Sequence, residues 1–308
     1  MKYKTIVLLF ICLFAGTTRA EEFVTYESGI CRFNLHDYEM TKPVERAIVF
    51  GISRLADTYK DTFGFRFPDN FKVRVTIICG EEKFKEYQKE QIGKVISETG
   101  YFSGRDWETV VLQPKDSKKT KEAKEMIGIV FHEANHMMMA WCVPWCPDWL
   151  NEGMSEYFEG LNVIGENRRV YLQKSRSKWC KLWARKGFPI KLPEYLALNH
   201  DQWMSLRGRD INAAYTIGYS LTYFMMSSEN TEKVLKELLW EFRRSGQEAD
   251  SVKIINENYP GGLEKLERNW KKWIPKARPY RPLRALRKEE EKPKEQTAAA
   301  NQNSKKKE

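Results

Sequence analysis

Two of the chain's four histidines, His132 and His136, stand four residues apart in "HEANH", with Glu133 directly after the first. On a helix, positions i and i+4 lie one turn above each other. Two imidazoles so placed can converge on a single metal ion at about 2.0–2.1 Å. A glutamate beside the first imidazole can reach a water held by that ion and serve as general base. The motif is short and has many chance matches, and a buried helix with merely hydrogen-bonded histidines spells the same letters. A third donor separates the two readings, because a catalytic ion takes three protein ligands and keeps one position open. Pro144 and Pro147 end the first helix and turn the chain. Asp148 is placed to cap a second helix, "DWLNEGMSEYF". That helix carries Glu152, separated from His136 by fifteen residues, and Glu156 one turn further along the same face. Either carboxylate can close a His₂Glu set.

The frame around these residues reads as strands first and helices after, an α+β pattern. "EFVTYESGICRFNL" is strand-like, and "KPVERAIVFGISRLADTYKDTFG" has helical apolar spacing through Val44, Ala47, Ile48, Ile52, Leu55 and Ala56. "FKVRVTIIC" alternates, with Val73, Val75 and Ile77 on one face. A charged helix follows over Glu81 to Gln91, and "GYFSGRDWETVVLQP" reads as a hairpin turning near Gly104. Beyond Pro114 the pattern predicts helices near 119–142, 148–160, 211–227, 230–245 and 261–274. Met137 to Met139 and Trp141 make the HEANH helix apolar nearly all round, hence central.

The chain has 308 residues and a net charge of +10 that is unevenly placed. Residues 1–20 have a basic start, twelve apolar residues and small residues at Thr18 and Ala20, which predicts a cleaved export signal. No other segment is long and apolar enough to span a membrane. The tail 276–308 combines prolines, charge blocks and polar low complexity, and is expected to be disordered. The signal carries +3 and the tail +6, so the body, 21–275, carries only +1 and shows no nucleic-acid footprint. Outside the signal lie Cys31, Cys79, Cys142, Cys146 and Cys180, an odd number. In an oxidising periplasmic or extracellular compartment, a disulfide is expected for Cys142 and Cys146, which flank Pro144, with partners the sequence does not identify. His36 and His200 stand alone and read as structural or surface residues.

"HEANH" followed by "WLNEGMSEYF" resembles the gluzincin zinc metallopeptidases, a group that includes thermolysin and the aminopeptidase N family, and most nearly the exported bacterial peptidase MA-like proteins. The resemblance implies a gluzincin-like domain: a small mixed β-sheet, then a mostly helical part carrying the H-E-x-x-H helix. It implies Zn²⁺ held by His132, His136 and Glu152, with Glu133 as general base and Glu156 as an outer carboxylate orienting a ligand histidine. "AAYTIGYSLTYF" matches the Y-x-x-G of the aminopeptidases at Tyr215 and Gly218, which implies that Tyr215 stabilises the oxyanion. Tyr219 and Tyr223 share that helical stripe and read as aromatic packing. The G-x-M-E-N exopeptidase motif is not found upstream of the helix, which argues against an aminopeptidase. "DWETVVLQP" stands where gluzincins place an edge strand that binds extended substrate by strand addition, although an ordinary buried strand spells the same pattern.

The expected activity is hydrolysis of peptide or protein substrates outside the cytoplasm. The competing readings are a non-catalytic member retained as a binding module for peptides or envelope components, and a zinc hydrolase acting on something other than a peptide. The intact Glu133 favours catalysis.

Overall fold

The computed structural model describes residues 23–114, 120–162 and 169–282. The expected export signal and residues 283–308 of the expected tail lie outside them. Strands β1 (Phe23–Ser28) and β2 (Cys31–His36) form a hairpin. Helix α1 (Lys42–Thr58) runs on into a π-helical turn, Tyr59–Phe63, and leads to β3 (Val73–Cys79). Helix α2 (Glu81–Ile92) precedes β4 (Gly100–Ser103) and β5 (Glu108–Gln113). The strands form one mixed sheet in the order β1-β2-β3-β5-β4, with β2, β3 and β5 parallel and the outer two antiparallel.

The rest is helical: α3 (Thr120–Cys142), α4 (Asp148–Glu159), α5 (Lys174–Lys186), α6 (Leu192–Leu196), α7 (His200–Arg209), α8 (Ile211–Met225), α9 (Glu229–Ser245), α10 (Ser251–Asn258) and α11 (Gly262–Trp273). The short strands β6 (Leu161–Asn162), β7 (Arg169–Tyr171) and β8 (Tyr280–Pro282) make a second antiparallel sheet. The α+β reading therefore holds. The basic tail starts later than expected, because Tyr280–Pro282 pairs with β7. Among the described residues no helix is long and apolar enough to cross a membrane.

Strand alternation decides which layer meets which. Val73, Val75 and Ile77 point with Phe33, Leu35 and Val111 into the large core shared with α1 and α3. Ile78, Val110 and Leu112 point the other way, onto Phe84 of α2. The period of two thus commits one face of the sheet to the helical layer that carries the histidines.

Two glycines set how closely the helices of the site approach. A Cβ added at Gly153 of α4 would sit 2.7 Å from the carbonyl oxygen of Gly218 and 2.6 Å from Oγ1 of Thr222, both on α8. A Cβ at Gly218 would sit 2.5 Å from the carbonyl oxygen of Trp149 on α4. At each glycine one of these contacts is to a backbone carbonyl that cannot swing away. Gly153→Ala and Gly218→Ala are expected to destabilise the fold by about 1–3 kcal/mol each, although alanine is the better helix former. Urea unfolding checks this, and an unchanged or raised midpoint would contradict the interlock.

Candidate metal centre

Helix α3 ends at Cys142, and residues 143–147 turn the chain through its two prolines. Asp148 opens α4 as its first residue instead of capping it. The cap position is Pro147, and the Asp148 carboxylate meets Nδ1 of His200 at 3.2 Å. The reversal lays α4 against α3 and brings three candidate ligand atoms together. Oε2 of Glu152 lies 3.5 Å from Nε2 of His132 and 3.7 Å from Nε2 of His136. These three side chains are close enough to hold a metal ion.

Bonds of about 2.0–2.1 Å at tetrahedral angles place two ligand atoms about 3.4 Å apart, so the observed edges fit one four-coordinate ion. The orphaned oxygen points the same way. Oε2 of Glu152 is buried and makes no hydrogen bond among the described residues. Without a metal only the charge of a protonated imidazole offsets this buried carboxylate oxygen, and an ion seated between the three groups would meet it directly.

The far side of each imidazole is held. Nδ1 of His132 meets Oε2 of Glu159 at 3.1 Å, and Nδ1 of His136 meets Oδ1 of Asn151 at 3.0 Å. With protons on the two Nδ1 atoms, both Nε2 lone pairs face the ion position, the tautomer that coordination requires. A buried relay backs His136: Tyr59 donates to Asn135 at 2.7 Å, Asn135 donates to Ser155 at 2.9 Å, and Ser155 Oγ lies 3.2 Å from Nδ1.

The letters of "WLNEG" thus acquire separate tasks. Trp149 donates from Nε1 to Ser251 and anchors the helix start. Asn151 orients His136, Glu152 offers the third ligand atom, and Gly153 admits α8.

Glu156 departs from expectation. The outer carboxylate on His132 is Glu159. Glu156 instead accepts from Arg176 of α5 in a two-pronged ion pair, with Nε to Oε2 at 3.0 Å and Nη2 against Oε1. Glu156 and Glu159 both follow Glu152 on one helical stripe, but Glu159 reaches back to the ring while Glu156 is claimed by the guanidinium. Glu156 still lies near the ring, since His132, Glu156 and Glu159 form a second set of groups close enough for an ion.

Glu133 lies on α3 in the wall of the same cavity, of about 840 Å³. It is buried and makes no hydrogen bond or ion pair among the described residues. Burial pushes its carboxyl above the usual range, and the two histidines only partly oppose this. Tyr215 of α8 lines the cavity too, edge-on to Trp203 at 5.3 Å. Burial first, and then Glu152, hold its phenol protonated well above the usual value. Tyr219 and Tyr223 are buried, and their hydroxyls are spent on the backbone at Gln173 and Val170. They pack, as expected.

Burial disfavours charge on His132, but Glu152 and Glu159 outweigh it and hold the imidazole protonated well above its usual value. A coordinating imidazole must be neutral. Metal uptake near pH 7 is therefore expected to release about one proton per ion or more. An indicator dye in weak buffer measures this. Uptake without proton release would contradict the electrostatics.

Two further expectations change. The segment 108–113 is not an edge: β5 is flanked by β3 and β4, and β4 forms the free margin. Gly100, Tyr101 and Phe102 of β4 line the cavity, and a Cβ at Gly100 would lie 3.4 Å from Cγ of Glu133. Beside the cleft, Phe102 continues into exposed Trp107 at 5.7 Å and exposed Trp141 a further 6.1 Å on. The expected disulfides are not found either: among the described residues Cys31, Cys79, Cys142, Cys146 and Cys180 form no disulfide. Burial raises the Cys142 thiol to about 12, so it packs as an apolar group.

No family model matches the chain, and no curated protein matches it.

Proposed function

We propose that this chain is a zinc-dependent metallopeptidase of gluzincin type. The observation that carries the reading is the orphaned Oε2 of Glu152, set 3.5 and 3.7 Å from two Nε2 atoms whose rings are held from behind. His132, His136 and Glu152 would hold zinc, a fit supported by the nitrogen–oxygen donor set and the edge lengths. Zinc there supplies Lewis-acid polarisation of a scissile carbonyl and a lowered water pKa.

The chain's own groups do the rest. Glu133, buried and without a partner among the described residues, takes the proton of the attacking water and returns it to the leaving amine. The raised pKa of its carboxyl suits that exchange, since a base is most effective when poised near working pH. Tyr215 donates its phenolic hydrogen to the developing oxyanion and, being neutral, needs no counter-charge in the ground state. The free margin of β4 offers backbone groups to an extended polypeptide, which suits strand addition beside Glu133.

The test is metal analysis of the purified protein together with cleavage of a broad peptide library read by mass spectrometry. One zinc per chain with defined cuts supports the reading. Bound zinc with no cut anywhere in the library points to a binding module. No stoichiometric metal would sink both.

A further inference from the structure

The cavity wall holds two arginines in unlike states. The Arg176 guanidinium is neutralised by Glu156. Arg207, on α7, forms no ion pair among the described residues, and its Nη1 meets the sulfur of Met204 at 3.9 Å. It is half-buried and lies over the Tyr215 ring, 5.9 Å from its centroid. Helix α7 also brings Trp203 to the edge of that ring. Arg207 is thus held on the Tyr215 side of the cleft, with Glu152 near enough to feel its charge but not to bind it.

A half-buried guanidinium without a paired carboxylate has lost part of its hydration and gained only an aromatic face and a sulfur contact. Its five N–H groups form a planar fork that matches a carboxylate in two parallel hydrogen bonds. We infer that Arg207 binds a carboxylate of the substrate. Resting on the peptidase reading for the identity of that substrate, the inference makes this a site for peptides that present an anionic group on the Tyr215 side of the scissile bond. The carboxylate has two sources, a free C-terminus or an aspartate or glutamate side chain, and the chemistry at Arg207 is the same for both.

The experiment measures binding of labelled peptides to zinc-loaded Glu133→Gln protein by fluorescence anisotropy, so that no turnover is needed. One pair differs only in a free or amidated C-terminus, the other only in Glu or Gln at an internal position. In at least one pair the carboxylate form is expected to bind about 10- to 100-fold more tightly. The pair that shows the preference identifies the source. Arg207→Ala is expected to bring that ratio close to one, and Arg207→Lys, which keeps charge but loses the fork, to leave an intermediate ratio.

No preference in either pair overturns the assignment, as does a preference that survives Arg207→Ala. If Arg207→Ala weakens both members of a pair equally, the arginine only positions Tyr215, and the assignment again fails. Should the alanine variant not fold, Arg207→Gln and the wild-type arginine protein carry the comparison. Cleavage by the wild-type protein without any carboxylate preference would remove this role for Arg207 and leave the peptidase reading intact. A preference seen by binding stands even where the wild type cuts nothing.

Discussion

Glu133→Gln is expected to lower kcat/KM by about 10²- to 10⁴-fold while the protein keeps its metal. Glutamine has the shape of the carboxyl and a similar volume, and Glu133 makes no ion pair or hydrogen bond among the described residues that the change would break. The three candidate ligand atoms belong to other side chains. Only proton transfer is lost. The pH profile carries a second readout. A base works when ionised, so the rate must rise with pH through the Glu133 pKa. In the metal-free site burial raises that pKa, and a bound dication would draw it back down, so the position of the acid limb reports the balance of the two. In the glutamine variant that limb should vanish from whatever activity remains. Kinetics across pH, with zinc determined on the same samples, check both parts. Wild-type turnover in the variant would remove Glu133 from the chemistry.

The legible part of this site is the part written in local spacing. A four-position spacing of histidines and two prolines before an amphipathic run suffice to bring His132, His136 and Glu152 together, since one helix turn and one chain reversal are local geometry. Glu159 was within reach of the same logic: it stands seven positions after Glu152, two turns along one stripe, and the periodicity marks it as surely as Glu156. What selects between them is Arg176, on the helix "KSRSKWCKLWARK", and nothing local ties that helix to α4. Arg207 was hidden similarly. Its helix is short, although Asn199 and Gln202 form a capping box that the sequence does display. Strand order is not local at all. That β4 and not β5 is a margin of the sheet follows from β5 pairing with β3, twenty-nine or more residues earlier in the chain. Whether thiols pair depends on Cβ separations that spacing along the chain does not set.

The three glutamates of α4 should separate cleanly under substitution. Glu152→Ala is expected to lose metal most severely, since it removes a ligand atom and leaves two imidazoles to hold the ion. Glu159→Gln keeps all three ligands and removes only the outer carboxylate on Nδ1 of His132, so about 10- to 100-fold weaker binding is expected. Glu156→Ala should act on folding instead. Its side chain is 5% exposed and that of Arg176 20%, so truncation strands a largely buried guanidinium. The expected cost is about 3–5 kcal/mol of stability, with a smaller change in metal affinity than either neighbour gives. Competition against a chelator of known affinity ranks the metal sites, and urea unfolding of the metal-free proteins ranks the folds. The ordering discriminates because a second cluster exists. His132, Glu156 and Glu159 also lie close enough together for an ion. Were that the true site, Glu156→Ala would abolish binding and Glu152→Ala would spare it. The ion pair weighs against this outcome: a carboxylate already satisfied by two guanidinium nitrogens must give them up to coordinate, whereas Oε2 of Glu152 makes no hydrogen bond and gives up only its attraction to the two imidazoles that would share the ion with it.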